Sequence, residues 1–146
     1  MRFFLIFSLS FFADQFSKFW FRSFFDRNES ICIIPHFFSL TYLVNRNIFF
    51  GLLLVNLYSI IFVHFMVILF LLWLWRKLFF VNKRVSGAVG LIMGGLTGNL
   101  FDRIWQNGVI DFLDFRVWPV FNIADVLIVV GGGIILWEIL KFSPKR

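Results

Sequence analysis

Four aspartates in the C-terminal half of the chain have neighbours and spacings that could support chemistry. Asn99, Asp102 and Arg103 close one apolar run, and spacings of three and four place them on one face of a helix. Asp111 and Asp114 follow in Val109–Phe115. If that piece is a strand, alternation points the two acids to opposite faces, so only one of them can enter a shared site. Asn122 and Asp125 open the last apolar run. Asn122 suits a helix cap there, and Asp125 a first turn favoured by the helix dipole. An interfacial ion pair, a half-exposed strand and a helix cap would account for these clusters one at a time. They leave the repetition unexplained: two helix ends each bring an Asn three residues before an Asp, with another acid between them. Two carboxylates held close cannot both ionise easily, so such a pair keeps a shared proton near neutrality. One member can then take a proton from water while the other protonates a departing amine. Spacing alone leaves Asp102, Asp111, Asp114 and Asp125 as alternatives.

Other hydrolytic constellations fit less well. Ser39 has no evident His–Asp partnership. His36 and His64 lack metal-ligand spacing, no HExxH occurs, and both histidines read as polar packing residues. No metal and no cofactor is expected. Cys32 is the single cysteine, which excludes an intramolecular disulfide and a cysteine metal cluster.

The elements that must position these acids are membrane helices. The 146 residues suffice for one domain, 1–146, and 60% are hydrophobic, including 24 Phe and 6 Trp. Soluble domains use roughly 45–50% apolar residues, and a chain this short has no interior large enough to hide the excess. Four stretches have the length and apolarity of spans, at about 3–21, 51–75, 85–101 and 123–140. Asp14 and Lys18 interrupt the first and no small-residue cleavage site follows, so it reads as a retained span. Outer loops are expected at 22–50 and 102–122, and a cytoplasmic loop at 76–84. Ile31–Pro35, Phe38–Val44 and Val109–Val117 are rich in β-branched and aromatic residues and read as short strands.

Charge sets the orientation. Arg2, Arg76, Lys77, Lys83, Arg84, Lys141, Lys145 and Arg146 flank one side in short segments. Arg22, Arg27, Arg46, Arg103 and Arg116 lie on the other, in longer loops. The positive-inside bias puts both termini in the cytoplasm and the acids outside. It also explains the net charge of +6 without a nucleic-acid partner. Gly90, Gly94 and Gly98 form a small-residue row suited to helix packing, and Gly131–Gly133 read likewise.

At these same residues the chain resembles the lipoprotein signal peptidase (signal peptidase II) family over nearly its full length. Asp14-Gln15-Phe16-Ser17-Lys18 is similar to the family's DQxSK motif, and Leu43-Val44-Asn45, ending in Phe50, to its Asn-centred motif. Gly94–Arg103 resembles GGxxGNxxDR, Val109–Phe112 resembles VVDF, and Phe121–Asp125 resembles FNxAD. The resemblance implies an all-α membrane protein of four transmembrane helices with a small extracytoplasmic β-cradle from the first outer loop. It implies an aspartyl protease of the bacterial cytoplasmic (inner) membrane, with its site at the extracytoplasmic face; a monomer is expected. It assigns Asp111 and Asp125 as catalytic. Asn45, Asn99, Arg103 and Asn122 would support the site or hold substrate backbone, Asp14 and Lys18 would be structural or supportive, and Asp102 would serve folding or the order of the site rather than bond cleavage. The implied substrate is a prolipoprotein whose cysteine carries diacylglycerol, cut just before that cysteine, with its lipid tails in the membrane lipid. Two departures stand out. Asn47 and Ile48 replace a Gly and a small residue of the family pattern, which narrows the space near substrate, and the stretch from Asp111 to Asp125 is shorter than usual.

A proton-coupled carrier is the main alternative, but it would favour charges deep within several spans and an inverted repeat. A presenilin-like protease would need a GxGD motif, which is absent. A catalytically dead lipoprotein-binding relative would not need an aspartate at both dyad positions.

Overall fold

The computed structural model describes residues 2–46, 56–78 and 83–142. Asn47, Ile48, Phe50, the start of the expected second span and the middle of the 76–84 loop lie outside the described residues. Four helices and three strands follow in the order α1 (Arg2–Phe24), β1 (Ser30–Ile34), β2 (Phe38–Asn45), α2 (Leu57–Leu78), α3 (Lys83–Gln106), β3 (Val109–Asp114) and α4 (Ile123–Phe142).

Helix α1 is inside-out compared with a helix of a soluble protein. Its buried positions include Ser10, Asp14 and Lys18, while Phe4, Leu5, Phe12, Phe16 and Phe19 face outward. In water this would be unstable; against hydrocarbon it is the favourable arrangement. Helices α2 and α4 also present apolar side chains outward, and Leu57–Lys77 and Ile123–Lys141 are each long and apolar enough to cross a membrane.

Helix α3 packs against the other three helices. Its glycine row makes close approach possible. A Cβ at Gly90 would meet Phe3 O at 3.0 Å, one at Gly94 would meet Phe7 O at 2.9 Å, and one at Gly98 would collide with the Asp14 carboxylate. Gly95 lies against α4, where a Cβ would stand 2.5 Å from Ala124 O. The second glycine group divides. Gly131 is a packing residue, since a Cβ there would lie 2.6 Å from Ile92 Cγ1 and 2.7 Å from Ala88 O, but Gly132 and Gly133 face open space. The expectation of a packing role therefore holds for only one of the three. Opposite outcomes follow for thermal unfolding in detergent. Gly131→Ala should destabilise by about 1–3 kcal/mol through overpacking. Gly132→Ala should stabilise by about 0.5–1 kcal/mol, because helix entropy improves and nothing is displaced.

Helix α3 outruns the expected span, continuing through Gln106, so residues 102–106 belong to the helix and not to the outer loop. It stops where Asn107 takes a left-handed conformation (φ 59°), as helix C-terminal caps do. The strands form one antiparallel sheet in the order β1-β2-β3. Contrary to expectation, the cradle is thus not built from the first loop alone: its third strand is supplied by the later segment that carries Asp111, which pairs with β2. Register pairs Leu43 with Asp111 and Asn45 with Val109, beyond an irregularity between Leu40 and Leu43. Phe21 of α1 stacks on Phe112 at 4.1 Å, and with Tyr42 and Ile110 it seats the sheet on the bundle. A second apolar cluster around Phe3, Val89 and Met93 closes the opposite end. His36 is no packing residue: it is exposed in the β1–β2 turn, at φ 60°.

Candidate functional site

The site forms where the C-terminal ends of α1 and α3, the start of α4 and strand β3 meet. Its base is Lys18, almost fully buried at 1% exposure. An ammonium has three N–H donors, and each finds an acceptor: Asp14 Oδ2 at 2.7 Å, Asn99 Oδ1 at 2.8 Å and Asp102 Oδ2 at 2.8 Å. Two carboxylates against one buried cation is a costly arrangement that persists only with complete hydrogen bonding. Gln15 helps to supply it, with Nε2 at 3.2 Å from Asp14 Oδ2, Asp102 Oδ1 and Gly98 O. Ile110 N adds a bond to Asp102 Oδ2 at 3.4 Å, which ties β3 to the helix end.

The start of α4 is fixed from two directions. Asn122 Oδ1 accepts from Asp125 N at 3.0 Å, and Asp125 Oδ2 accepts from Asn122 N at 3.3 Å, a reciprocal cap. Ala124 N, a further donor of the first turn, is taken by Asp14 Oδ1 at 2.9 Å. The cap expected of Asn122 is present, and it leaves Asp125 Oδ1 to face Asn99 Nδ2 at 3.0 Å.

Asp111 and Asp125 are joined through two amides. Asn122 Nδ2 donates to Asp111 Oδ1 at 2.7 Å and lies 3.2 Å from Asn99 Oδ1, and Asn99 Nδ2 donates on to Asp125. Asn45 Nδ2 donates to Asp111 Oδ2 at 3.0 Å. Asp111 is 3% exposed. Burial, and then the negative charge of Asp125, push its carboxyl up to about 7, against the opposing pull of the Asn45 and Asn122 amides and Lys18. Arg103 is buried beside them, and its guanidinium feels the charges of Asp111, Asp125 and Asp102.

Of the four candidate acids, Asp114 stands apart. It accepts from Thr41 Oγ1 at 3.1 Å and from Arg116 N at 2.9 Å on the other face of the sheet, as alternation along β3 requires. Asp102 is occupied by Lys18. Sequence spacing does not point to Gln15 or His64 as contributors. Gln15 lies within a quoted motif, but its reach to α3 depends on how the helices pack. His64 approaches Arg103 from α2. Among the described residues no group of three His, Cys, Asp or Glu side chains could hold a metal ion.

Residues 6–141 match the family model described as signal peptidase (SPase) II. A lipoprotein signal peptidase of Moorella thermoacetica is 40% identical over 140 residues, covering 96% of this chain and 93% of its own. One from Halothermothrix orenii is 45% identical over 118 residues, covering 76% and 78%. Two solved structures of bacterial membrane enzymes superpose with TM-scores of 0.85 and 0.83, at 25% and 26% identity. They cover 99% and 97% of this chain and 93% and 94% of their own. The chain is accordingly a bacterial membrane protein and an aspartic endopeptidase, and it belongs to the signal peptidase II family.

Proposed function

We propose that this enzyme removes the signal peptide from diacylglyceryl-modified prolipoproteins, cutting before the lipidated cysteine, with Asp111 and Asp125 as its catalytic pair. The observation that carries this reading is the joining of the two carboxylates through Asn122 and Asn99, with Asp111 raised to about 7 beside Asp125. Below a pH of about 7 the deeply buried Asp111 holds a proton. Asp125 takes a proton from water as the water oxygen bonds to the scissile carbonyl carbon. Asp111 then gives its proton to the amide nitrogen as the C–N bond breaks. The signal peptide leaves with a new carboxylate, and the lipidated cysteine with a new amine. Asn45, Asn99, Asn122 and Arg103 hold the pair and the substrate backbone, and Asp14, Lys18 and Asp102 order the helix ends beneath them.

The chain works as a single membrane domain with four spans, both termini in the cytoplasm and the sheet outside. Outward apolar faces on the helices support this, as does the collection of Arg2, Arg76, Lys77, Lys83, Arg84 and Lys141 at the end remote from the sheet. Lipid chains have a place beside the chemistry. An apolar cleft of about 430 Å³, lined by Phe115, Trp118, Phe121, Val126 and Val129, has Asp125 in its wall.

The test is cleavage of a diacylglyceryl prolipoprotein by the purified enzyme in detergent, with the new N-terminus read by mass spectrometry. A product that does not begin at the lipidated cysteine would refute the cut site. The same assay checks the proton assignment. Above a pH of about 7 Asp111 loses its proton. There kcat/KM should fall, approaching about tenfold per pH unit. A flat profile to pH 9 would contradict it.

A further inference from the structure

We propose that His64, in the neutral form protonated on Nδ1, is a positioning residue that holds the Arg103 guanidinium against the paired aspartates. His64 sits on α2, a helix otherwise so apolar that an imidazole needs a reason to be there. Its ring bridges two groups of fixed chemistry. Nδ1 lies 3.1 Å from Ile60 O, one turn back on the same helix, and Nε2 lies 3.4 Å from Arg103 Nη1. A carbonyl only accepts and a guanidinium only donates. One tautomer satisfies both: Nδ1–H donates to Ile60 O, and bare Nε2 accepts from Arg103. The opposite tautomer would set N–H against N–H on one side and a lone pair against a lone pair on the other. The imidazolium would set two cations together.

Arg103 Nη1 also donates to Asn99 O at 3.2 Å. The guanidinium is therefore held from its own helix by Asn99 and across the bundle by His64, while Asp111 and Asp125 attract it from the site. Asn99 is the residue that links Asp125 to Lys18 and Asn122. His64 thereby couples α2, which packs on α3, to the hydrogen-bond network of the site. The inference rests on the proposed dyad, because Arg103 matters to cleavage only if those two aspartates perform it.

Three variants and one spectrum test it in the full-length protein in detergent. His64→Leu should fold at least as well as wild type, since leucine suits an apolar helix, yet lose at least about tenfold in kcat/KM as Arg103 shifts. His64→Gln can place an acceptor near the Nε2 position and should recover to within about threefold of wild type. In an Arg103→Lys background His64→Leu should cost little more, because the partner is already altered. With ¹⁵N-histidine, the half-buried His64 ring should show a protonated Nδ1 and a bare Nε2, with the exposed His36 as the internal reference. A His64→Leu enzyme with wild-type kcat/KM, a glutamine variant as slow as leucine, or a protonated Nε2 would each overturn the proposal. A failed dyad would be seen separately, as cleavage persisting in Asp111→Asn, with the His64 tautomer unaffected.

Discussion

Asp111→Asn and Asp125→Asn are each expected to lower cleavage of a diacylglyceryl prolipoprotein by more than about 10³-fold, within the range that acid–base groups contribute. Each change removes an ionisable group and leaves a side chain of nearly the same shape, so the fold should survive. At Asp111, an asparagine keeps an oxygen toward Asn122, the shorter of the two side-chain bonds to this carboxylate, and places its Nδ2 toward the Asn45 amide. At Asp125, an asparagine can keep Asn99 as donor and lose the longer bond from Asn122 N, 3.3 Å, at a cost of about 1 kcal/mol. Stability supplies an internal control with a definite sign. The Asp111 carboxyl titrates near 3.8 in the unfolded chain and near 7 in the fold. The native state therefore binds the extra proton between these values, and the wild type loses stability as pH rises through that window. Above about pH 7 Asp111→Asn should melt higher than wild type, and the gap should close below about pH 4. An inactive but more stable variant would separate chemistry from folding. Undiminished cleavage in either variant would remove that aspartate from the mechanism.

Much of this arrangement can be read in the chain before any coordinates, and the remainder fails for identifiable reasons. The helix cap at Asn122 and Asp125 is local, within four residues, and so is the shared face of Asn99, Asp102 and Arg103. Opposite faces for Asp111 and Asp114 follow from alternation alone. Choosing between those two acids is not local. It depends on β3 pairing with β2 so that Asp111 sits across from Leu43 and within reach of Asn45, a partner 66 residues away. Residue types at the family's motifs supply that choice where spacing does not. The roles of Gly98, which must lack a side chain beside Asp14, and of Gly132 and Gly133, which face nothing, depend on how α3 meets α1 and α4. The reading of His64 as packing has the same origin. From sequence it is a polar residue inside an apolar run, and only the approach of α2 to α3 brings it within 3.4 Å of Arg103. A boundary drawn where the charges begin ends the third span near Phe101. Helix α3 continues because Asp102 and Arg103 are buried with partners, and so do not meet solvent.

Lys18→Met should be the most damaging single change to the fold. The substitution removes the cation but leaves Asp14 and Asp102, at 0% and 3% exposure, facing each other across the space it occupied. Breaking a buried ion pair in this way costs about 3–5 kcal/mol, because an uncompensated charge is stranded. Here two charges are stranded, and Asn99 Oδ1 loses a 2.8 Å donor as well. The damage should spread along the hydrogen bonds. Asp14 caps Ala124 N, Asp102 accepts from Ile110 N, and Asn99 reaches Asp125, so the start of α4 and the near end of β3 both loosen. Poor recovery of folded protein and a melting point well below wild type are expected, measured by thermal unfolding in detergent. The cause can be checked by removing the stranded charges. Combining Asp14→Asn and Asp102→Asn with Lys18→Gln keeps amide oxygens available for Ala124 N and Ile110 N while leaving no net charge in the cluster. Since buried ionic groups can be replaced by neutral ones at little cost in stability, the triple variant should melt several degrees above Lys18→Met. If it melts no higher, the loss comes from the missing side chain and its packing, and Lys18 is not the counter-ion on which the two carboxylates depend.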